Sequence, residues 1–286
     1  MDSSGNEYLI RGGFRFPMDG KVDVFVLNGQ SHAEGQGLRD EIFQKNLIAY
    51  AENSFRYNSA GSANGGVNPG DWGPLQVGVN TDGLPHTGTD FGVETAIAAY
   101  YYANYLKPSY WVKSAFGGVG ISEELRGGGG SFHPDPAFSI FPNLTNPLIG
   151  GINRLSTQYG ISISDCRFHF IWIQGETDSN YSPDDADYGT NWDRIYGDLI
   201  SALDASFTGF SFSSETDVLV NPAFDGLPLA GVNLVNNAKI AWVAVDATKR
   251  EYVDIDQKLT IASNNHYEAS GTIHLGREIF KKIFLV

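Results

Sequence analysis

A three-layer α/β/α sandwich around a central, mostly parallel five-stranded sheet is the fold class this chain predicts. Three observations carry that expectation. Short apolar runs alternate with longer amphipathic stretches along the 286 residues. Most of those runs are apolar on both faces, as strands must be when helices cover a sheet on either side. Alternation of this kind calls for a parallel sheet with right-handed crossovers. No internal repeat is visible, and residues 1–286 read as a single domain.

Five runs read as the strands: Val22–Leu27, Tyr110–Ala115, Phe168–Ile173, Val218–Val220 and Ile240–Val245. Four stretches read as helices: Val93–Leu106, Asn146–Tyr159, Asn191–Phe207 and Glu268–Phe284. In the last, Ile273, Gly276, Ile279, Phe280 and Ile283 recur at helical spacing. Two regions break the pattern. Residues 54–92 are rich in Asn, Gly, Pro and Asp, and residues 122–142 include a run of four glycines. Long loops in a compact domain are functional or mobile, and both follow strand ends where they could roof a site.

Composition narrows the function classes. Hydrophobic residues make up 42% of the chain and charged residues 18%, enough apolar content for a sizeable core and too much for disorder. Nineteen basic against 33 acidic residues give a net charge of −14. No lysine and arginine stripe exists to neutralise phosphates, so nucleic acid is an unfavourable partner. An anionic membrane surface is disfavoured for the same reason. The first twenty residues carry no basic start followed by an apolar run, so no signal peptide is legible. No apolar stretch approaches bilayer-spanning length, and a soluble chain is expected. The compartment stays open, secretion or a place on a virion among the possibilities. The single Cys166 excludes an intramolecular disulfide. No cofactor is expected, since G-x-G-x-x-G and P-loop patterns are absent.

The most informative segment is Val24-Phe25-Val26-Leu27-Asn28-Gly29-Gln30-Ser31-His32. An apolar strand ends at a glycine and a serine follows two residues later. That arrangement presents a hydroxyl at the carboxyl edge of a sheet, where open α/β folds place their chemistry. The alternative is a serine that caps the following helix. After the second strand comes Gly117-Gly118, with Ile121 beyond, where backbone N–H groups can approach a ligand oxygen closely. The third strand runs into Trp172-Ile173-Gln174-Gly175-Glu176-Thr177-Asp178, which places an amide donor at a strand end. Ser263-Asn264-Asn265-His266-Tyr267 precedes the last helix and puts His266 at its entrance.

These segments, in this order and with Phe91-Gly92 ahead of a helix, resemble the SGNH (GDSL-like) hydrolases, whose sandwich is flavodoxin-like. The resemblance is closer to their carbohydrate acetylesterase branch, which includes acetylxylan esterases and sialate O-acetylesterases. It spans the chain from near residue 20 to the C-terminus, and Trp172-x-Gln174-Gly175-Glu176-x-Asp178 is its most specific element. It implies a serine esterase that removes O-acetyl groups from a carbohydrate. Ser31 would be the nucleophile and His266 its base. The Ser31 and Gly118 N–H groups and the Gln174 amide would form the oxyanion hole. Glu176 and Asp178 would hold the loop.

Two departures stand out. His32 replaces the asparagine usual after the nucleophile, and could donate to the site, perturb its pH profile or fill space. Ser263 replaces the aspartate of Asp-x-x-His. Asp246, read as following the last strand, is the preferred orienting acid, with Asp254 and Asp256 as rivals. These departures leave room for a second reading, a catalytically weakened glycan-binding or structural module. Trp72, Phe132 and Tyr188 are candidates for stacking on sugar rings. His86, His133, His169 and His274 share no ligand spacing, so no metal site is expected. The acidic stretch 183–187 reads as a solvated loop rather than a calcium site. Which sugar is recognised and the oligomeric state are not legible.

Overall fold

A computed structural model describes residues 8–11, 13–35, 37–38, 40, 45–59, 67–81, 90–124, 130–135, 137–181, 184–220, 230–255 and 267–285. The chain opens with an antiparallel hairpin of β1 (Tyr8–Arg11) and β2 (Phe14–Pro17) and then enters the first long strand, β3 (Val22–Gly29). One turn of helix, α1 (Ser31–Glu34), follows directly, then β4 (Gly37–Leu38) and α2 (Lys45–Ala51). Within the predicted loop 54–92 lie three short strands, β5 (Phe55–Tyr57), β6 (Trp72–Pro74) and β7 (Asp90–Phe91). From there α3 (Glu94–Tyr105), β8 (Tyr110–Ala115), α4 (Pro142–Tyr159), β9 (Cys166–Ile173), α5 (Asp184–Ser206) and β10 (Thr216–Val220) alternate strictly. The chain ends with α6 (Val232–Val245), β11 (Arg250–Val253) and α7 (Ala269–Phe284).

Among the described residues the main sheet has seven strands in the order β11-β10-β9-β3-β8-β5-β6, two more than the sequence led us to expect. All pairs are parallel except β5 with β6. Counting the five longer-connected strands in chain order gives 2-1-3-4-5, the doubly wound order whose switch point lies beside the first strand. The middle strands are buried from end to end: every residue of β8 and β9, and all of β3 after Val22, lies inside. Side chains alternate across the sheet. Phe25, Leu27, Trp111 and Ile171 pack on one face against α3 and α7. Val24, Val26, Val112, Phe168 and Phe170 pack on the other, against α4 and α5. A third cluster joins Trp172 and Leu219 to Tyr188, Trp192 and Trp242 of α5 and α6.

One predicted strand is a helix. Ile240–Val245 is the last part of α6, whose buried residues Val232, Val235, Lys239 and Trp242 recur at helical spacing. A charged residue holds one place in that stripe, so the helical period is hidden and the apolar run stands out instead. Two of its apolar residues, Ile240 and Val245, in fact face outward, at 47% and 77% exposure. The fifth strand of the parallel series is β11, four residues beyond the helix. No described helix is long and apolar enough to cross a membrane.

Candidate active site

The carboxyl ends of β3, β8 and β9 meet at the switch point. β3 terminates in Gly29 with φ +143°, and a Cβ built there would lie 1.9 Å from the carbonyl oxygen of Ile173 on β9. Only glycine lets the chain pass so close to its neighbour. The N–H of Gln30 then donates to that same Ile173 carbonyl at 2.9 Å, and Phe116 N–H, just after β8, donates to Gly29 O at 3.0 Å. Three strand ends are thereby tied at one point. Within the turn that follows, Gln30, His32, Ala33 and Glu34 are buried, and Ser31 alone is partly open. Gly117 and Gly118, just beyond the end of β8, are exposed; a Cβ on Gly118 (φ +69°) would meet no atom within 4 Å. A hydroxyl and a left-handed glycine turn thus border open space at the same sheet edge.

Behind them sits an amide scaffold. The Gln174 side chain is fully buried. Its Nε2 lies 3.2 Å from Gln30 Oε1, 3.0 Å from Val119 O and 2.5 Å from Asp178 Oδ2. Its Oε1 accepts from Tyr188 O–H at 2.9 Å. An amide nitrogen carries two hydrogens, and three protein acceptors already compete for them. The Gln174 amide is thereby anchored in the frame behind Ser31. Gln30 Oε1 also accepts from the N–H groups of Gly175 and Thr177 at 3.3 Å each. Asp178 completes the frame by accepting from Ile121 N–H at 3.0 Å, which joins the segments after β8 and β9.

His32 turns away from solvent. Its Nδ1 lies 2.7 Å from Glu176 Oε1, a close polar contact. Its ring stacks on Tyr267, with centroids 4.2 Å apart and planes 20° apart. Tyr267 is the residue immediately after His266. The chain neighbour of Ser31 therefore lies face to face with the chain neighbour of His266. His266 itself, with Ser263 and Asp256, lies outside the described residues.

Asp246 belongs elsewhere. It caps the C-terminus of α6 and accepts from Thr248 at 2.5 Å (O–H) and 3.3 Å (N–H), which lowers its pKa. Because it precedes β11, it sits at the amino edge of the sheet, opposite Ser31. Its assignment as triad acid followed from reading Ile240–Val245 as a strand, and falls with it. Asp254 directly follows β11 and lies at the carboxyl edge.

Lys239 escaped the sequence reading. It is 1% exposed, and its amine donates to the carbonyls of Gln174, at the end of β9, and Val220, at the end of β10 (2.7 Å to the latter). Burial pushes the amine down to about 7, opposed by the charges of Glu176 and Asp178. A polar residue on the inner stripe of a helix was the available signal. The aromatic candidates for sugar stacking are interior: Trp72 is 3% exposed, and Phe132 and Tyr188 are wholly buried. Trp72 donates its indole N–H to Gly151 O, and Tyr188 is held by Gln174. The fold also assembles Glu123, His133 and Asp135, whose ligand atoms lie within 4.8 Å of one another, a grouping invisible in sequence spacing. Arg194 already sits 3.3 Å from Asp135. Of the acidic stretch 183–187, residue 183 lies outside the described set, and α5 begins at Asp184.

No protein family's sequence profile matches the chain, and no curated protein does. Solved structures do. A protein from Arabidopsis thaliana is similar at 17% identity, covering 92% of this chain and 98% of its own, with TM-score 0.62. NanS is similar at 13% identity, covering 92% and 97%, also with TM-score 0.62. A carbohydrate esterase family 2 enzyme with its carbohydrate-binding domain, from Corynascus thermopiles (Myceliophthora fergusii), is similar at 13% identity, covering 94% of this chain and 68% of its own, with TM-score 0.50. The chain has the α/β sandwich, with a central and mostly parallel sheet, that carbohydrate esterases also use.

Proposed function

We propose that the protein is a serine esterase that removes O-acetyl groups from a carbohydrate. The observation that carries this reading is the stacking of His32 on Tyr267, which draws together the chain segments bearing Ser31 and His266. Ser31 Oγ attacks the acetyl carbonyl while His266 takes its proton. The oxyanion is met by the backbone N–H groups of Ser31 and Gly118. Collapse expels the sugar hydroxyl, which recovers a proton from His266, and water then releases acetate from Ser31. Asp254, on the same sheet edge, orients His266. The net charge of −14 favours neutral glycans over polyanions. The test is acetate release from an aryl acetate and from acetylated xylan and sialic acid by wild type and Ser31→Ala. Equal rates would remove Ser31 from the mechanism.

One observation favours a second reading, a glycan-binding module with weakened catalysis. With the Gln174 amide committed to Gln30, Val119 and Asp178, no side-chain donor for the oxyanion is identified among the described residues, and losing one such donor costs about 10²–10³ in turnover. Glycan binding that survives Ser31→Ala, with no acetate release from any of the three substrates, decides for this reading.

A further inference from the structure

Lys239 is the only charged residue of α6, and it lies on the buried stripe of that helix. A lysine on a surface helix ordinarily runs its stem along apolar surface and keeps the amine in water. Here the amine turns inward, and the acceptors it meets are both main-chain carbonyls, those of Gln174 and Val220. Val220 ends a strand that is buried over its last four residues, so the bond to it (2.7 Å) gives the amine a rigid footing. The ring of Tyr188 lies 5.3 Å from the amine, and its O–H also donates to Gln174 O at 3.2 Å.

The Gln174 carbonyl belongs to a peptide unit that is engaged on both sides. Its oxygen accepts from Lys239, while its N–H, that of Gly175, donates to Gln30 Oε1 at 3.3 Å. A trans peptide moves as one plane, so whatever fixes the oxygen also aims the N–H. Gln30 Oε1 takes a second donor from the same turn, Thr177 N–H at 3.3 Å, and the Gln30 main-chain N–H donates to Ile173 O at 2.9 Å. Gln30 is thus gripped at backbone and side chain by residues 173–177, and the next residue is Ser31. Gly175 sits at φ +137°. Glycine leaves such a conformation freely, so the turn takes its shape from the bonds around it.

We propose that Lys239 is a positioning residue for the candidate nucleophile: through the peptide between Gln174 and Gly175 and the Gln30 amide, it sets the turn that presents Ser31. This role rests on the esterase reading. Lys239 meets no substrate and acts through two successive hydrogen bonds, its own to Gln174 O and that of Gly175 N–H to Gln30. An amine needs two hydrogens to serve two carbonyls, so the clamp holds with or without the third proton. Methionine has a stem of similar length and no donor, which makes it the replacement that opens the clamp while filling the space.

The test uses the full chain as wild type, Lys239→Met, Gln30→Ala and the double variant, each checked for its fold by circular dichroism. With an aryl acetate, Lys239→Met lowers kcat by about tenfold or more and leaves KM within about twofold. Gln30→Ala also lowers kcat, and adding Lys239→Met to it costs less than about threefold further, because the relay is already cut. In amide hydrogen exchange, Gly175 N–H opens about tenfold faster or more in Lys239→Met, while Val26 in the middle of β3 is unchanged. Lys239→Gln, which keeps a donor on a shorter arm, is run beside it and shows the same directions, so that a methionine variant that does not fold leaves the question decidable. An unchanged kcat in a folded variant, fully additive losses, or unchanged Gly175 exchange would each overturn the assignment. A wild type that releases no acetate removes the esterase reading and this role with it, whereas an active wild type matched by Lys239→Met removes this role alone.

Discussion

The two edges of the sheet both bury polar side chains, yet they are built on different principles. At the amino edge, Asp23 is wholly buried and gripped by Arg167, His169 and Tyr101, whose O–H lies 2.5 Å away. Opposite charges meet there in a bidentate geometry that compensates their desolvation. At the carboxyl edge the scaffold is largely neutral: Gln30, Gln174 and backbone groups exchange hydrogen bonds, with Asp178 and Lys239 as the charged anchors. Here Ser31 is the one partly open residue of an otherwise buried turn at a strand end. The difference teaches that buried charge by itself does not mark chemistry. A hydroxyl held partly open by a rigid, internally satisfied frame is the stronger sign.

Replacements at each edge should have opposite signatures. Ser31→Ala should lower acetate release by about 10³-fold or more while shifting unfolding free energy by less than about 0.5 kcal/mol. Asp23→Asn should do the reverse. Breaking the buried pair should destabilise by about 3–5 kcal/mol in urea titrations, with turnover per folded molecule unchanged. A loss of activity from Asp23→Asn without loss of stability would erase the contrast.

The orienting acid sharpens it further. Asp254→Asn should slow turnover by about 10²-fold or more, because a triad without its carboxylate loses up to about 10⁴. Asp246→Asn, at the other edge, should stay within about twofold of wild type in the same assay. The reverse ranking would reinstate the strand-end logic that the helix α6 displaced.

The smallest effect is a slope. Lys239 titrates near 7 when folded, against 10.5 for an ordinary lysine. Between those values the unfolded chain binds more protons, so stability should rise with pH from about 7 and be lost as pH falls back toward 7. The slope from this one group cannot exceed about 1.4 kcal/mol per pH unit. Lys239→Met should flatten it between pH 7 and 9.5, as read by urea unfolding at each pH. An unchanged slope would mean that the amine keeps its proton inside the fold.

Legibility followed burial. β8 ends where the sequence placed it, and β3, β9 and β10 extend the predicted runs by a few residues, because strands apolar on both faces announce themselves. The helices that begin at Glu94 and Ala269 start within one residue of the expected positions, whereas those that begin at Pro142 and Asp184 start four and seven residues earlier than expected. The short strands β5, β6 and β7 were not, since three residues or fewer carry no usable period. The local turn at Gly29-Gln30-Ser31 was legible because only glycine tolerates the contact with Ile173. The occupancy of Gln174 was not, because its acceptors come from residues 30, 119 and 178.

Sequence alone determined the layer architecture, the order of the strand ends and the partly open serine, since each depends on apolar periodicity or on one glycine's backbone. Tertiary structure alone decided which polar groups spend their hydrogen bonds on one another. It placed Gln174 in the frame, Lys239 beneath it and Asp246 at the far edge. Those outcomes depend on distances between residues far apart in the chain, which no local pattern encodes.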